Sequence, residues 1–340
     1  MTMRAFVIDE PGRTSIARLD RPVPLPDEVL LRTRVVGMCG TDLSTFRGKN
    51  PLVTYPRIPG HEIAATIEQV GSAVPAHLKP GLNVTLSPYT NCGKCASCKR
   101  GRVNACQFNQ TLGVQREGAM KDYFTAPWTK LYVAEGLSIA ELSVVEPLSV
   151  GFHAAARGRV AAEDTVAVIG CGVVGLGAIA ASAYKNASVI AIDVDDRKLA
   201  VAKQAGAAHT INSRNGNVHD ELAALTGGLG PDVIIEAVGM PATFRMAVEE
   251  VAFTGRVVYI GYAKEPVEYE TRLFVMKEID ILGSRNALDE FGTVIDALRG
   301  GRFPVDAIIS KVVPVEQAGE ALKAWSDDPG AYVKVQISFE

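Results

Sequence analysis

Val166-Ala-Val-Ile-Gly-Cys-Gly-Val-Val-Gly-Leu-Gly177 decides how the rest of the chain is read. Its first residues are a short apolar run rich in valine and isoleucine, the pattern of a buried strand. The run breaks into Gly170-Cys-Gly172-Val-Val-Gly175, and the small apolar residues beyond read as a helix. In a dinucleotide-binding turn each glycine has a distinct job. Gly170 permits the tight turn, Gly172 lets backbone approach a pyrophosphate, and Gly175 lets helix and strand pack closely. Val173 and Val174 then sit in the first helical turn, whose free N–H groups and partial positive charge favour phosphate. A glycine turn alone is a weak signal, so its surroundings matter. A second apolar run, Ser188-Val-Ile-Ala-Ile-Asp193, closes the unit with an acid 18 residues after Gly175. A carboxylate there is placed to bond the ribose hydroxyls and to repel a 2′-phosphate, which favours NAD over NADP. Arg197 and Lys198 stand nearby as cations that a 2′-phosphate would seek, and Arg197 is counted with the cofactor residues.

Outward from this turn, the texture of the chain divides in two. From about residue 151, strands expected at 165–169, 188–193, 208–212, 232–237, 256–261 and 279–283 alternate with helical patterns. Such alternation predicts a doubly wound, parallel six-stranded sheet over 151–285. Residues 1–150 instead carry short β-type runs, such as 28–36 and 63–70, punctuated by prolines, and predict a compact, mostly β domain. The segment 286–340 is expected to hold helices at 289–299 and 315–325 and a strand, 332–337, that returns to the first domain.

The 340 residues suffice for about two domains. A net charge of −3 gives no reason to expect nucleic acid or an anionic membrane as partner. The amino terminus lacks the basic-then-apolar layout of a signal peptide, and the apolar run 166–184 is broken by glycines in a strand-turn-helix order. A soluble, cytoplasmic protein is therefore expected. Six cysteines in such a chain point to metal ligands or nucleophiles before disulfides.

Cys92-x-x-Cys95-x-x-Cys98-x7-Cys106 is the strongest local motif. Four thiolates gathered by tight turns suit a tetrahedral zinc, and with every ligand supplied by cysteine the site is closed to substrate. It is expected to be structural, pinning the loop 86–108, which has few apolar residues of its own. Cys171, inside the glycine turn, reads as a small filler.

Three further residues gain meaning only together: Cys39 in Gly37-Met-Cys-Gly-Thr-Asp42, His61 in Gly60-His-Glu62, and Glu146 in Glu146-Pro-Leu-Ser-Val-Gly151. Singly, Cys39 would pass for a buried small residue, His61 for a core histidine, and Glu146 for a helix-start acid before Pro147. With the cysteine lobe and the glycine turn, however, these segments resemble the zinc-containing medium-chain alcohol and polyol dehydrogenases, in the family's order and over essentially the whole chain. The resemblance implies a GroES-like first domain, a Rossmann second domain and a catalytic zinc between them. It makes Cys39, His61 and Glu146 ligands or near-ligands of that zinc, with Glu62 a second carboxylate beside it; either glutamate is able to be the closer one. Each chain would then hold two zinc ions, one catalytic and one structural. A substrate hydroxyl at such an open site has its pKa lowered, and its carbon can release hydride to the nicotinamide ring. Thr41 matches the family's hydroxyl residue next to the metal. Many relatives carry a histidine where this chain has Ser44, so Ser44 with water, or another route, must move the proton.

The Glu146–Gly151 motif is most similar to sorbitol-type polyol dehydrogenases, while 55–62 and 283–287 look like bacterial sugar-acid dehydrogenases that oxidise C5 of hexonates such as galactonate or gulonate. Threonine 3-dehydrogenases and general secondary-alcohol dehydrogenases share the glutamate-type site. A zinc-free quinone reductase would lack Cys39, His61 and the cysteine lobe, and a non-catalytic NAD-sensing protein would be expected to have lost zinc ligands. The family usually forms homo-oligomers, dimers or tetramers, with the last Rossmann strand as a plausible edge. Phe46, Arg285 and Asn286 are the candidate substrate residues. A guanidinium at 285 can take a carboxylate with two parallel hydrogen bonds, and Asn286 can bond a hydroxyl. The competing role for Arg285 is to order water or Glu146, or to form an ordinary salt bridge. Lysine keeps the charge and loses the fork, so Arg285→Lys is expected to raise KM for a hexonate much more than for the matching polyol. Equal losses in steady-state assays on both substrates would make Arg285 a supporting residue.

Overall fold

Glu28-Val-Leu-Leu-Arg-Thr-Arg-Val-Val-Gly37 interleaves charged and apolar residues, and it becomes the strand on which the first part of the chain is assembled. The computed structural model describes residues 2–301 and 303–340. Contacts divide the chain into two units: Met1–Glu146 with Phe291–Gly300 and Val305–Glu340, and Pro147–Glu290 with Gly301–Pro304.

In the first unit β1 (Thr2–Glu10) and β2 (Arg13–Asp20) form an antiparallel pair. A larger sheet is built on β3 (Glu28–Gly37), which pairs antiparallel with β4 (Glu62–Val70). It continues through β5 (Asn83–Leu86), while β6 (Tyr123–Pro127) also pairs β3 and β7 (Leu131–Val133) pairs β5. The β3–β4 register sets Gly37 opposite Glu62. The chain leaving β3 toward Cys39 therefore lies beside the chain entering β4 from His61. Ile8, Leu31, Val36, Ile63 and Ile67 fill the core beneath, where hydrophobic burial supplies the main stabilisation.

The second unit holds β8 (Thr165–Ile169), β9 (Ser188–Asp193), β10 (His209–Asn212), β11 (Val233–Glu236), β12 (Arg256–Tyr259) and β13 (Asp280–Gly283). Their spatial order is β10-β9-β8-β11-β12-β13, with every pair parallel. This is the expected six-stranded Rossmann sheet. Buried on both faces, its strands read as continuous apolar runs: Val166 to Ile169 and Val233 to Ile235 are all buried. Growth of the sheet reverses between β8 and β11, the switch point at which open α/β sheets bind ligands. The apolar run once comparable to a membrane span resolves into β8, the turn and the helix Val173–Tyr184. Among the described residues no helix is long and apolar enough to cross a membrane.

The last part of the chain returns to the first sheet. β14 (Ile309–Pro314) runs parallel to β15 (Lys334–Ser338), and β15 lies antiparallel to β3 with Gln336 opposite Gly37. The helix Ala318–Asp327 buries Leu322 and Trp325 in the same core.

One expectation needs correcting. Glu146 is not a helix-start acid, because its helix runs Ile139–Arg157. Ser138 and Glu141 open it: the Glu141 carboxylate accepts from the Ser138 N–H at 2.7 Å, and the Ser138 hydroxyl accepts from the Glu141 N–H at 3.2 Å. Glu146 and Pro147 thus lie inside the helix, where proline removes one interior hydrogen bond.

Candidate functional site

The cysteine lobe gathers as its spacing requires. The four sulfurs of Cys92, Cys95, Cys98 and Cys106 lie within 4.8 Å of one another. Cys95 caps the short helix Ala96–Lys99, and the following turns bring Cys106 back to it, Sγ to Sγ 3.9 Å. Backbone N–H groups of Cys92 and Phe108 point at the Cys106 sulfur, and that of Cys95 at the Cys92 sulfur, each at 3.3 Å. Such donors favour the thiolate form. The Ser97 hydroxyl, helped by backbone N–H groups, brings the Cys95 thiol down to about 5. None of these cysteines is in a disulfide. The donor set fits a closed tetrahedral zinc.

A second group forms around the β3–β4 register. One ligating atom each from Cys39, His61 and Glu62 falls within 4.8 Å of the others. Cys39 occupies the cap position of the helix Gly40–Phe46, and its N–H donates to the Asp42 carboxylate at 2.9 Å, which fixes the start of that helix. The Thr41 hydroxyl lies 3.7 Å from the Cys39 sulfur. His61, Glu62 and Glu146 are all buried, and His61 Nδ1 has no hydrogen-bond partner among the described residues. Burial alone would depress the His61 imidazole, but the Cys39 thiol and the Asp42 and Glu146 carboxylates hold it well above its usual range. Burial, opposed by His61 and reinforced by Glu62, pushes the Glu146 carboxyl up to about 7. Sulfur, imidazole and carboxylate donors packed together, Cys39 half-buried and His61 and Glu62 buried, with one imidazole nitrogen unpaired, fit a divalent transition metal.

Two residues of this group escaped the sequence. Lys334 on β15 is buried, donates to the Met38 carbonyl at 2.9 Å, and grips both oxygens of Glu62, Oε1 at 2.6 Å. Gly37 leaves room for that carboxylate: a Cβ there would fall 2.1 Å from Glu62 Oε2. Tyr89 is buried and donates its hydroxyl to Glu146. Each lies far along the chain from its partner, and neither belongs to a motif.

The other candidates are dispersed. Ser44 is half-buried on the Gly40–Phe46 helix, and Phe46 is packed into the core. Arg285 and Asn286 lie half-buried in the segment after β13, where Asn286 has φ 53°. That segment is held by Glu290, whose carboxylate accepts from the Leu288 N–H at 2.7 Å and meets buried His153 Nδ1 at 2.7 Å.

The glycine turn has the form needed to receive phosphate. Gly172 caps the helix Val173–Tyr184 without a side-chain bond, and a Cβ there would meet nothing within 4 Å. A Cβ on Gly175 would fall 1.8 Å from the Gly170 carbonyl oxygen, so no larger residue fits the fold-back. Asp193 at the end of β9 accepts from the Cys171 N–H at 2.7 Å and the Asp195 N–H at 3.0 Å, which fixes its carboxylate against the turn. Arg197 forks onto Asp195, at 2.7 and 3.1 Å. Buried Cys171 packs behind the turn.

Known proteins are similar to this chain over nearly its whole length. A family described as the GroES-like domain of alcohol dehydrogenase matches residues 25–135, and one described as zinc-binding dehydrogenase matches 173–299. Sorbitol dehydrogenase of Bacillus subtilis (strain 168) is 33% identical over 342 residues, covering 98% of this chain and 97% of its own. The chain belongs to the zinc-type alcohol dehydrogenase family. L-Galactonate-5-dehydrogenase of Escherichia coli (strain K12) is 29% identical over 320 residues, covering 94% of each chain. The crystal structure of an alcohol dehydrogenase (rspB) from E. coli CFT073 complexed with NADH has a TM-score of 0.92 at 29% identity, covering 99% of both chains.

Metal analysis of the purified protein is expected to give about two zinc ions per chain. Cys39→Ser should lose about one of them with the fold kept, whereas Cys95→Ser should lose the other together with thermal stability. Lys334→Met leaves a buried carboxylate without its cation and is expected to cost about 3–5 kcal/mol in urea unfolding. The double variant Lys334→Met/Glu62→Gln should recover much of that loss, which a purely steric role for Lys334 would not allow.

Proposed function

We propose that this protein is a zinc-dependent dehydrogenase that takes a hydride from a secondary alcohol of a polyol or sugar acid and passes it to NAD+, giving a ketone. The observation that carries the reading is the charge balance around Cys39 and His61. Lys334 balances Glu62, and the Cys39, Asp42 and Glu146 side chains are left acting on His61; with Asp42 engaged by the Cys39 N–H, Cys39 bound as thiolate and one free carboxylate would match one divalent cation. Zinc held there supplies Lewis-acid chemistry at a substrate oxygen, and NAD+ supplies the hydride acceptor. Cys39, His61 and one of the two glutamates are the residues to hold the metal. Glu62, gripped by Lys334, serves as the fixed second carboxylate, and Glu146 is oriented by Tyr89. Thr41, with its hydroxyl beside the Cys39 sulfur, accepts and passes the proton that leaves the substrate hydroxyl, and Ser44, one turn further along the helix, continues the path toward solvent.

The glycine turn and Asp193 support NAD as the acceptor, since a fixed carboxylate favours ribose hydroxyls and repels a 2′-phosphate. The sorbitol and L-galactonate relatives support a polyhydroxylated substrate. Assays of NAD+ reduction across polyols, aldonates and L-threonine test the proposal. Turnover is expected on a polyol or an aldonate, and turnover of L-threonine alone would replace this reading. Asp193→Ala should raise KM for NAD+ about tenfold while narrowing the gap to NADP+. A wild-type preference for NADP+ in the same assay would overturn the cofactor assignment.

A further inference from the structure

From Gln69 to Arg116 the chain holds six lysines and arginines and no acidic residue, in a protein whose net charge is −3. Four of these cations, Lys79, Lys94, Lys99 and Arg100, are exposed and solvated. Arg116 is not. Leu112 and Arg116 form a bridge that turns the chain back, and the Leu112 N–H donates to the Pro88 carbonyl at 3.1 Å. The Arg116 side chain lies against that same carbonyl, with Nη2 donating to it at 3.2 Å. One residue earlier, the Ser87 N–H donates to the Lys130 carbonyl at 2.9 Å, which brings a second cation to this stretch. Lys130 Nζ donates to Asn91 Oδ1 at 3.2 Å.

Both cations are half-buried, and among the described residues no carboxylate and no cysteine of the metal lobe acts on either. The next acid along the chain, Glu117, is engaged elsewhere, by Arg57 at 2.9 Å and by the Ile58 N–H at 2.8 Å. Burial holds the Arg116 guanidinium below its usual range, and burial together with the charge of Arg116 does the same to the Lys130 ammonium. Two like charges are thus drawn from water beside one another without a counter-charge, an arrangement that costs stability as it stands. Arg116 Nε is moreover buried with no acceptor among the described residues. A guanidinium is donor-only, so an unmet Nε is satisfied only by an oxygen arriving from outside the chain. Asn91 is exposed, and with its amide oxygen taken by Lys130 its N–H groups remain to donate.

We propose that Arg116, Lys130 and Asn91 form a binding site for a phosphate group, carried either by inorganic phosphate or by a phosphate monoester. A phosphate near neutral pH brings up to two negative charges and several acceptor oxygens, which match two cations and the donors at Nε, Nζ and the Asn91 amide. The site lies outside the zinc and dinucleotide groups, so its test stands apart from the dehydrogenase reading. Isothermal titration calorimetry of the full-length protein, in phosphate-free buffer at fixed ionic strength, is run with inorganic phosphate, sorbitol 6-phosphate and sorbitol. The wild type is expected to bind phosphate, and Arg116→Gln and Lys130→Met each to weaken it about tenfold. Lys311→Met, which removes an exposed cation on β14, should change it less than about twofold. Tighter binding of sorbitol 6-phosphate than of phosphate, lost in the same two variants, makes the ligand an ester; equal affinity makes it free phosphate. Absence of phosphate binding to the wild type, an equal loss in Lys311→Met, or losses for sorbitol as large as for its phosphate would overturn the proposal. Lys130→Met is also expected to raise the thermal midpoint by about 1–2 °C in phosphate-free buffer, because it relieves the repulsion, while phosphate raises the midpoint of the wild type alone. A variant less stable than the wild type without phosphate would overturn the proposal as well.

Discussion

The ion pair between Lys334 and Glu62 is the interaction on which the first unit's centre depends. Neither charge has access to water, and each would be prohibitive alone. Their pairing locks together the end of β3 through Met38, the start of β4 through Glu62, and the last strand of the chain. Those are the backbone segments that carry Cys39 and His61. Replacing the pair with apolar side chains of the same volume would serve stability about equally well, but would remove the charge that sets the balance around His61. The pair is best understood as a device for holding the backbone that presents Cys39 and His61.

The two units solve different physical problems. In the first, an antiparallel register converts sequence separation into proximity, so that Gly37 opposite Glu62 brings two distant segments into one cluster. In the second, a parallel sheet gathers all its strand ends on one side, and reversal of the strand order opens a crevice there. The glycine turn lines that crevice with the backbone N–H groups that open the helix Val173–Tyr184.

What the sequence revealed was whatever is local or periodic. The glycine turn declares itself within a dozen residues because steric demands at Gly170 and Gly175 admit nothing else. The cysteine lobe does so because its ligands are neighbours in the chain. The six parallel strands declare themselves by apolar runs at regular intervals. Cys39, His61 and Glu146 became legible only through resemblance, since each taken alone has a bland explanation. Lys334 and Tyr89 were missed because their partners are 272 and 57 residues away, and no pattern marks a lysine destined for burial. Glu146 was given a helix-start alternative because Pro147 follows it, whereas the Ser138–Glu141 capping box, a stronger start signal, lies a short way upstream.

The return of β15 to β3 has a consequence for how the protein comes into being. During synthesis the cysteine lobe emerges early, and its ligands can close on a metal while most of the chain is still unmade. The centre around Cys39 and His61 cannot mature in the same way, because the cation that neutralises Glu62 lies on the final strand, Lys334–Ser338. The second group is completed only after β15 has emerged, so a chain that stops before Lys334 keeps Cys39, His61 and Glu62 and lacks the cation that pairs with Glu62.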